Sequence, residues 1–317
     1  MSAGVSATRI VVGGEALVDL VPTPDGTLAP RLGGGPLNTA VAAARLGAPV
    51  AFLSRVSTDP FGDAVLARLQ ESGVDGSFVQ RGPEPTTLAV VGVGADGSAR
   101  YSFYTDGTAD RLVADPGPLP GAAAVSLGTL SLVLEPGASV YEAVLHREAA
   151  AGRLTVLDPN VRAALVPDAA AYRARFRSWL PSVGLLKLSV QDAGWLGGDV
   201  PSWLDAGVGA VVLTRGGDGL AVHTGRHDVT VPAPTVAVVD TIGAGDTVHG
   251  ALLAWLHARG ALDRDAVTAM DGPAWRGALA FAAEAAAVTV SRPGADPPWG
   301  HELARAGAGP HPPDGAD

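Results

Sequence analysis

The chain has 317 residues, 47% of them hydrophobic, with a formal net charge of −10 and no cysteine. That length fills one large domain or two smaller ones, and the lack of cysteine excludes disulfides and thiolate metal sites. The acidic balance argues against a nucleic-acid surface, which needs a basic patch. Met1–Arg9 shows no basic stretch leading into an apolar one, and no run approaches the roughly 18 apolar residues of a membrane span. The nearest, Gly277–Val290, carries Glu284. A cytoplasmic protein without signal peptide or membrane partner is the expectation.

Arg9–Val21 reads as a strand run broken at Gly13-Gly14. Gly33-Gly34-Gly35 precedes a helical stretch, Leu37–Leu46. Phe61, Val65 and Leu69 then recur at i, i+4, i+8 on one helix face. Thr86–Gly94 and Ala99–Tyr104 are strands joined by Ala95–Ser98, whose Asp96-Gly97 is a hairpin signal. Beyond them come Ala122–Leu127, Leu154–Leu157, Gly184–Leu188 and Ala210–Leu213, short apolar runs of buried-strand type. Helical stretches such as Pro136–Ala151 and Ala169–Leu180 lie between. This alternation predicts an α/β fold: a doubly wound, mostly parallel sheet with helices on both faces. Residues 14–36 and 86–106 are excursions expected to form a small β lid on a core spanning 1–305. The Gly/Pro/Ala-rich stretch 306–317 is expected to be disordered.

Five segments can carry chemistry. In Asp240-Thr241-Ile242-Gly243-Ala244-Gly245-Asp246, a glycine turn follows the extended run Val236–Val239 and opens the helix Thr247–Ala258. Glycines let backbone N–H groups converge, and the helix N-terminus adds positive potential, so the turn is a candidate anion hole. An Asp at its rim makes sense if it takes a proton from a hydroxyl attacking a phosphoryl group. A plain N-cap is the alternative. The helix end is expected to favour the ionised form of Asp246. Gly33–Gly35 with Asn38 offers close backbone approach and an amide for a hydroxyl-rich ligand; an ordinary loop and cap is the other reading. Asp158-Pro159-Asn160-Val161-Arg162 follows a buried strand at its carboxyl end, where α/β folds bind ligands, and Arg162 could steady a phosphoryl group. Asp158 and Asn160 read equally well as turn formers. Lys187–Asp192 and Thr214–Gly219 occupy corresponding strand ends.

Absences narrow the class. There is no Gly-Lys-Ser/Thr P-loop, no Val-Ala-Ile-Lys or His-Arg-Asp of protein kinases, and no Gly-x-Gly-x-x-Gly after the first strand. His249 reads as a packing or solvent residue rather than a ligand. The chain holds a single lysine (Lys187), two asparagines (Asn38, Asn160) and two isoleucines (Ile10, Ile242). Lys187, Asn38 and Asn160 all fall within these segments, as expected where a function resists a drift in composition.

Gly14-Glu15-Ala16-Leu17-Val18-Asp19, Gly33–Asn38, Asp158–Arg162, Thr214–Gly219 and Asp240–Asp246, in this order and spacing, resemble the PfkB/ribokinase family of carbohydrate kinases, in its fructokinase-like branch. The resemblance covers about residues 9–300. It implies a ribokinase-like fold with Asp246 as catalytic base and Gly243, Ala244 and Gly245 as the anion hole, with Arg162 near the transferred phosphoryl group. Asp19, Gly33, Gly34, Gly35, Asn38, Phe103 and Asn160 would bind sugar. Lys187 and Ser189 would lie near the nucleotide, and Thr214, Arg215, Gly216 and Gly219 would bind ATP. Asp192, where the family has Glu, would place Mg2+ through water, and Asp240 and Ile242 would belong to a monovalent-cation loop for K+. The lid would close over the sugar and could pair two chains into a homodimer. Departures are Asp192, Ala283 where Asn is frequent near adenine, and Val248 where an aromatic is usual.

The expected reaction is transfer of the γ-phosphoryl of ATP to a sugar hydroxyl, with fructose giving fructose 6-phosphate. Alternatives are 2-keto-3-deoxygluconate, ribose or a nucleoside, or a non-catalytic sugar or nucleotide sensor. An acid-sugar kinase would want extra cations near the lid, where Arg100 is a candidate.

Overall fold

The computed structural model describes residues 8–23, 25–93 and 99–305, with side chains at 93, 99, 100, 304 and 305 left aside. The expected Asp96-Gly97 turn, the side chain of Arg100 and the 306–317 tail lie outside the described residues.

The first strand, β1 (Arg9–Gly13), is apolar on both sides. Ile10 and Val12 face one core cluster and Val11 the other, the pattern of a strand covered on both faces. After the break at Gly14 the chain enters β2 (Leu17–Pro22) and β3 (Leu28–Gly33), then returns through α1 (Gly35–Arg45), β4 (Val50–Ser57), α2 (Pro60–Glu71) and β5 (Asp75–Gly82). A second excursion, β6 (Thr87–Val93) and β7 (Ala99–Tyr104), precedes the run β8 (Ala122–Gly128), α3 (Gly137–Ala150), β9 (Leu154–Asp158), α4 (Ala169–Trp179) and β10 (Leu185–Ser189). Then come α5 (Val190–Leu196), α6 (Val200–Asp205), β11 (Ala210–Thr214), β12 (Leu220–Thr224) and β13 (Asp228–Val231). The chain finishes with α7 (Ala244–Ala258), α8 (Arg264–Ala269), α9 (Gly272–Val290) and α10 (Gly300–Arg305).

Two sheets result. Nine strands run in the order β13-β12-β11-β10-β9-β8-β1-β4-β5, parallel from β11 to β5, with β12 and β13 antiparallel at one edge. Four strands, β3-β2-β6-β7, form the smaller sheet. This is the doubly wound, mostly parallel architecture the alternation predicts, with the small sheet built from Leu17–Pro22, Leu28–Gly33, Thr87–Val93 and Ala99–Tyr104. Chain order reverses at β1, flanked by β4 and β8, which puts a crevice at the strands' carboxyl ends. Val65 and Leu69 are buried under α2, with Phe61 half-buried beside them. No helix among the described residues is long and apolar enough to cross a membrane.

One helix contact positions everything that follows. α1 and α7 pack so closely that a Cβ on Gly250 would stand 2.6 Å from Ala42 Cβ and 2.8 Å from the carbonyl oxygen of Thr39. Alanine is the better helix former by about 1 kcal/mol, but overpacking costs about 1–3 kcal/mol, and here backbone rather than a flexible side chain blocks the way. Gly250→Ala is therefore expected to lose net stability in urea unfolding and also kcat, because it pushes α1 off α7. A variant as stable and as active as the parent would refute that account.

Candidate active site

α7 begins where Gly243 takes φ 76°, with Ala295 only 2.6 Å from where a Cβ would be. Glycine is required there. A helix start leaves N–H groups without carbonyls and carries positive potential. Among the described residues, Gly243 and Gly245 donate to no acceptor, whereas Ala244 turns to Thr241 O at 3.3 Å. Two of the three expected hole residues thus keep a free N–H.

Asp246 follows in the first turn, 8% exposed. Asn38 Nδ2, on α1, donates to its Oδ2 at 2.8 Å. Oδ1 looks toward Gly35, 3.4 Å from where a side chain would start. The expected ionising effect of the helix end is outweighed. Burial pushes the Asp246 carboxyl above its ordinary 3.8, helped by the Asp158 charge, while the Asn38 hydrogen bond and the Lys187 and Arg162 charges offset part of the rise. Such a shift moves a carboxylate toward the pH at which a base works best.

Asp246 opens onto a cavity of about 320 Å³ between core and lid. Gly34, Gly35, Asn38, Asn160 and Arg162 line it from the core. Asp19 and Phe103 line it from the lid, alternating along their strands with residues that face away. Gly33 stands behind Asp19 instead, its missing Cβ making room for that carboxylate. Burial raises Asp19 to about 6, against the pull of Arg162 and with a push from Asp246. Asn160 sits at φ 37°, and its backbone O and Oδ1 accept from Arg162 Nη1 at 2.9 and 2.7 Å. The Asn thereby aims the guanidinium.

Thr241, Thr214 and Gly245 continue the wall into an adjoining groove of about 560 Å³. Gly216, Gly219, Ala244, Val248, Ala283 and Ala287 line this groove. Arg215 folds back toward Asp218 O at 3.5 Å and lines neither space. Ser189 caps α5 reciprocally with Asp192, whose Oδ1 also accepts from Val161 N at 2.8 Å. Asp192 therefore ties two strand-end loops together while still facing the cavity. Asp240 accepts from Ile242 N at 3.0 Å and Gly294 N at 2.8 Å, bracing the segment before the hole against the chain after α9. Lys187 points inward, 4% exposed, with Nζ 2.7 Å from Asp158 Oδ2. Asp158 is thus no turn former but a buried ion-pair partner.

Sequence reasoning missed Glu15, Leu17, Tyr101, Thr129 and Leu130, which also line the cavity. Thr129 and Leu130 follow β8 at the same carboxyl end as Asn160 follows β9, so the strand-end rule had the means to find them. Glu15 is pushed up to about 7 by burial, and accepts from Thr129 Oγ1, Ser131 N and Ser131 Oγ.

A free helix end, a buried carboxylate at its rim and two joined cavities form a site for phosphoryl transfer to a hydroxyl. The family model described as pfkB family carbohydrate kinase matches residues 7–301. The chain belongs to this family. A fructokinase of Rhizobium leguminosarum bv. trifolii is 39% identical over 281 residues, covering 84% of this chain and 85% of the relative. The ATP-bound crystal structure of a Xylella fastidiosa fructokinase superposes with TM-score 0.84 at 29% identity, covering 91% of this chain and 94% of that one. A double-mutant Vibrio cholerae O395 fructokinase with fructose, ADP and a potassium ion bound gives 0.79 at 25%, covering 91% and 94%. Asp246 lies buried at the rim of the free helix end, bonded to Asn38 and facing the cavity.

Asp246→Asn keeps shape and the capacity to cap but removes the proton acceptor. It is expected to fold, bind both substrates and lose at least ~10²-fold in kcat. If Asp246 accepts the proton, kcat/KM should fall as pH is lowered through its raised carboxyl, because the protonated form has no lone pair free for that task, and protonation of Asp19 at the sugar end should add to the fall. The midpoint should lie above the ordinary Asp value of 3.8. A folded Asp246→Asn variant keeping more than about a tenth of parental kcat would show that Asp246 is only a cap.

Proposed function

We propose that this carbohydrate kinase transfers the γ-phosphoryl group of ATP to fructose, giving fructose 6-phosphate. The observation that carries the reaction is Asp246, held by Asn38 at the free end of α7, where two cavities join. In this reading the sugar lies between Asp19, Asn38 and Asn160, with the nucleotide along Gly216, Gly219 and Ala287. The hydroxyl oxygen attacks the γ-phosphorus as its proton passes to Asp246. The bond from γ-phosphorus to the β-bridging oxygen breaks, and ADP leaves with that electron pair. The Gly243 and Gly245 N–H groups and Arg162 take up the charge on the transferring group.

Fructose is supported by the fructokinase relatives and by the cavity's charge. Asp19 and Glu15 face the sugar end, and of the two cations lining the cavity Lys187 is committed to Asp158. A neutral polyol suits these walls better than an acid sugar. No cluster of three metal-ligating side chains occurs among the described residues. Mg2+ would arrive on ATP, draw charge from its phosphates and meet Asp192 through water. K+ would sit by Asp240 and Ile242, where each carboxylate oxygen accepts one N–H and retains a lone pair. Pairing of two chains through the lid is supported by the open edges β3 and β7 and by exposed Leu28 and Tyr104. A monomer mass in sedimentation would refute it.

A sugar panel with ATP and Mg2+ tests the substrate. Fructose should give the highest kcat/KM, and the rate should rise when Na+ or Tris is replaced by K+. A better rate with ribose, a nucleoside or an acid sugar overturns fructose and leaves the kinase standing. Equal rates in all three cations remove the K+ loop, and binding without transfer to any sugar means a sensor.

A further inference from the structure

Beneath the anion hole lies a buried set of polar groups that the reaction above does not use. Ser126, Asp158 and Lys187 lie at or near the carboxyl ends of three adjacent strands, β8, β9 and β10. His249 enters from α7, three residues beyond Asp246. Lys187 Nζ donates to Asp158 Oδ2 at 2.7 Å, and His249 Nδ1 stands 3.5 Å from the same oxygen. The other imidazole nitrogen, Nε2, is 3.0 Å from Ser126 Oγ. None of the four residues is more than 4% exposed. Asp158 Oδ1 has no partner, and Asp158, His249 and Ser126 share the wall of a space of about 10 Å³, of the order of one water.

An ion pair this deep is poor evidence of stabilisation, since desolvation cancels much of the attraction. Its location is more informative. Lys187 Nζ is 3.3 Å from where a Cβ on Gly245 would be, and Gly245 is one of the two hole residues whose N–H is free. A lysine stem is flexible, and two carboxylates, Asp158 and Asp246, attract the same ammonium. Where it rests depends on how firmly Asp158 is held.

We infer that His249, anchored on Ser126, is a positioning residue that fixes Asp158 and through it holds the Lys187 ammonium under the anion hole, where its charge supports the entering phosphoryl group. His249 touches no reacting atom. This rests on the kinase reading but not on fructose, so the assay uses whichever sugar the panel turns over.

The single lysine makes the inference directly observable. Protein grown with ¹³C,¹⁵N-lysine gives one side-chain signal set, that of Lys187, and reports its surroundings without any turnover. His249→Leu should displace that signal and lower kcat by about tenfold or more, less than the roughly 10²–10⁴-fold that a group transferring the proton itself supplies, with KM for sugar within about twofold. His249→Gln, which can still bond Ser126 and reach toward Asp158, should recover part of both. A folded Leu variant with parental kcat overturns the inference, as does a fall in kcat while the lysine signal stays in place. If the Leu variant does not fold, Ser126→Ala carries the test, removing one oxygen from the far end of the chain. A smaller loss of kcat with a displaced lysine signal supports the inference, and no change in either overturns it. A labelled chain that shows the displacement but transfers phosphate to no sugar refutes the kinase reading instead.

Discussion

A carboxylate that is to accept a proton beside a phosphate must sit where negative charge is tolerated twice over, and in a chain of net charge −10 few side chains can supply the balance. Here the balance comes from the end of α7, and the end of α7 is useful only because α1 lies against it. Gly250 lets the two helices meet backbone to side chain, which brings Asn38 within 2.8 Å of Asp246. That bond occupies one carboxylate oxygen and leaves the other turned toward the glycine segment. Separate the helices by the width of a methyl group and Asp246 loses both its Asn38 bond and its shelter from water.

The rest of the site is arranged around this contact by sheet topology. Loops from β1, β8, β9, β10 and β11 all emerge at the carboxyl edge, so residues as distant in sequence as Glu15 and Thr214 line one cavity. Two of those loops hold non-glycine residues at positive φ, Thr129 at 60° and Asn160 at 37°. Such conformations are costly and persist where the surroundings enforce them, often at functional sites. Thr129 is held by Glu15, and Asn160 is engaged with Arg162. The lid adds Asp19 opposite Arg162, which closes the cavity with a charge of each sign facing the other.

Much of this was legible from local pattern. Strands buried on both faces announce themselves as short apolar runs, and glycine segments before helices mark close backbone approach, so the core sheet, the lid and the Asp246 turn could be read directly. Side chains whose roles depend on distant partners could not. Asp158 looked like a turn former because its partner lies 29 residues away. His249 looked like packing because the groups beside it, Ser126 and Asp158, come from the distant strands β8 and β9. The titration of Asp246 was misjudged for the same reason: the helix end is visible in sequence, but the burial that outweighs it comes only with folding, which lays Gly35 and Asn38 against the carboxyl. Arg215, in a fitting motif, turns away because its own turn offers it Asp218 O.

The composition carries one last piece of physics. Of 22 basic residues only one is lysine, so arginine is this chain's default cation everywhere except at position 187. Shape matters there. An arginine guanidinium is a broad planar fork of five donors and a lysine ammonium a compact point charge, and Gly245 stands so close that a single added carbon would sit 3.3 Å from Nζ. A compact ammonium on a slender stem reaches Asp158 Oδ2 beneath the turn. A bulkier cation would press on the glycine turn or on Asp246 beside it. That crowding is a physical reason for lysine at this one strand end in a chain that otherwise uses arginine.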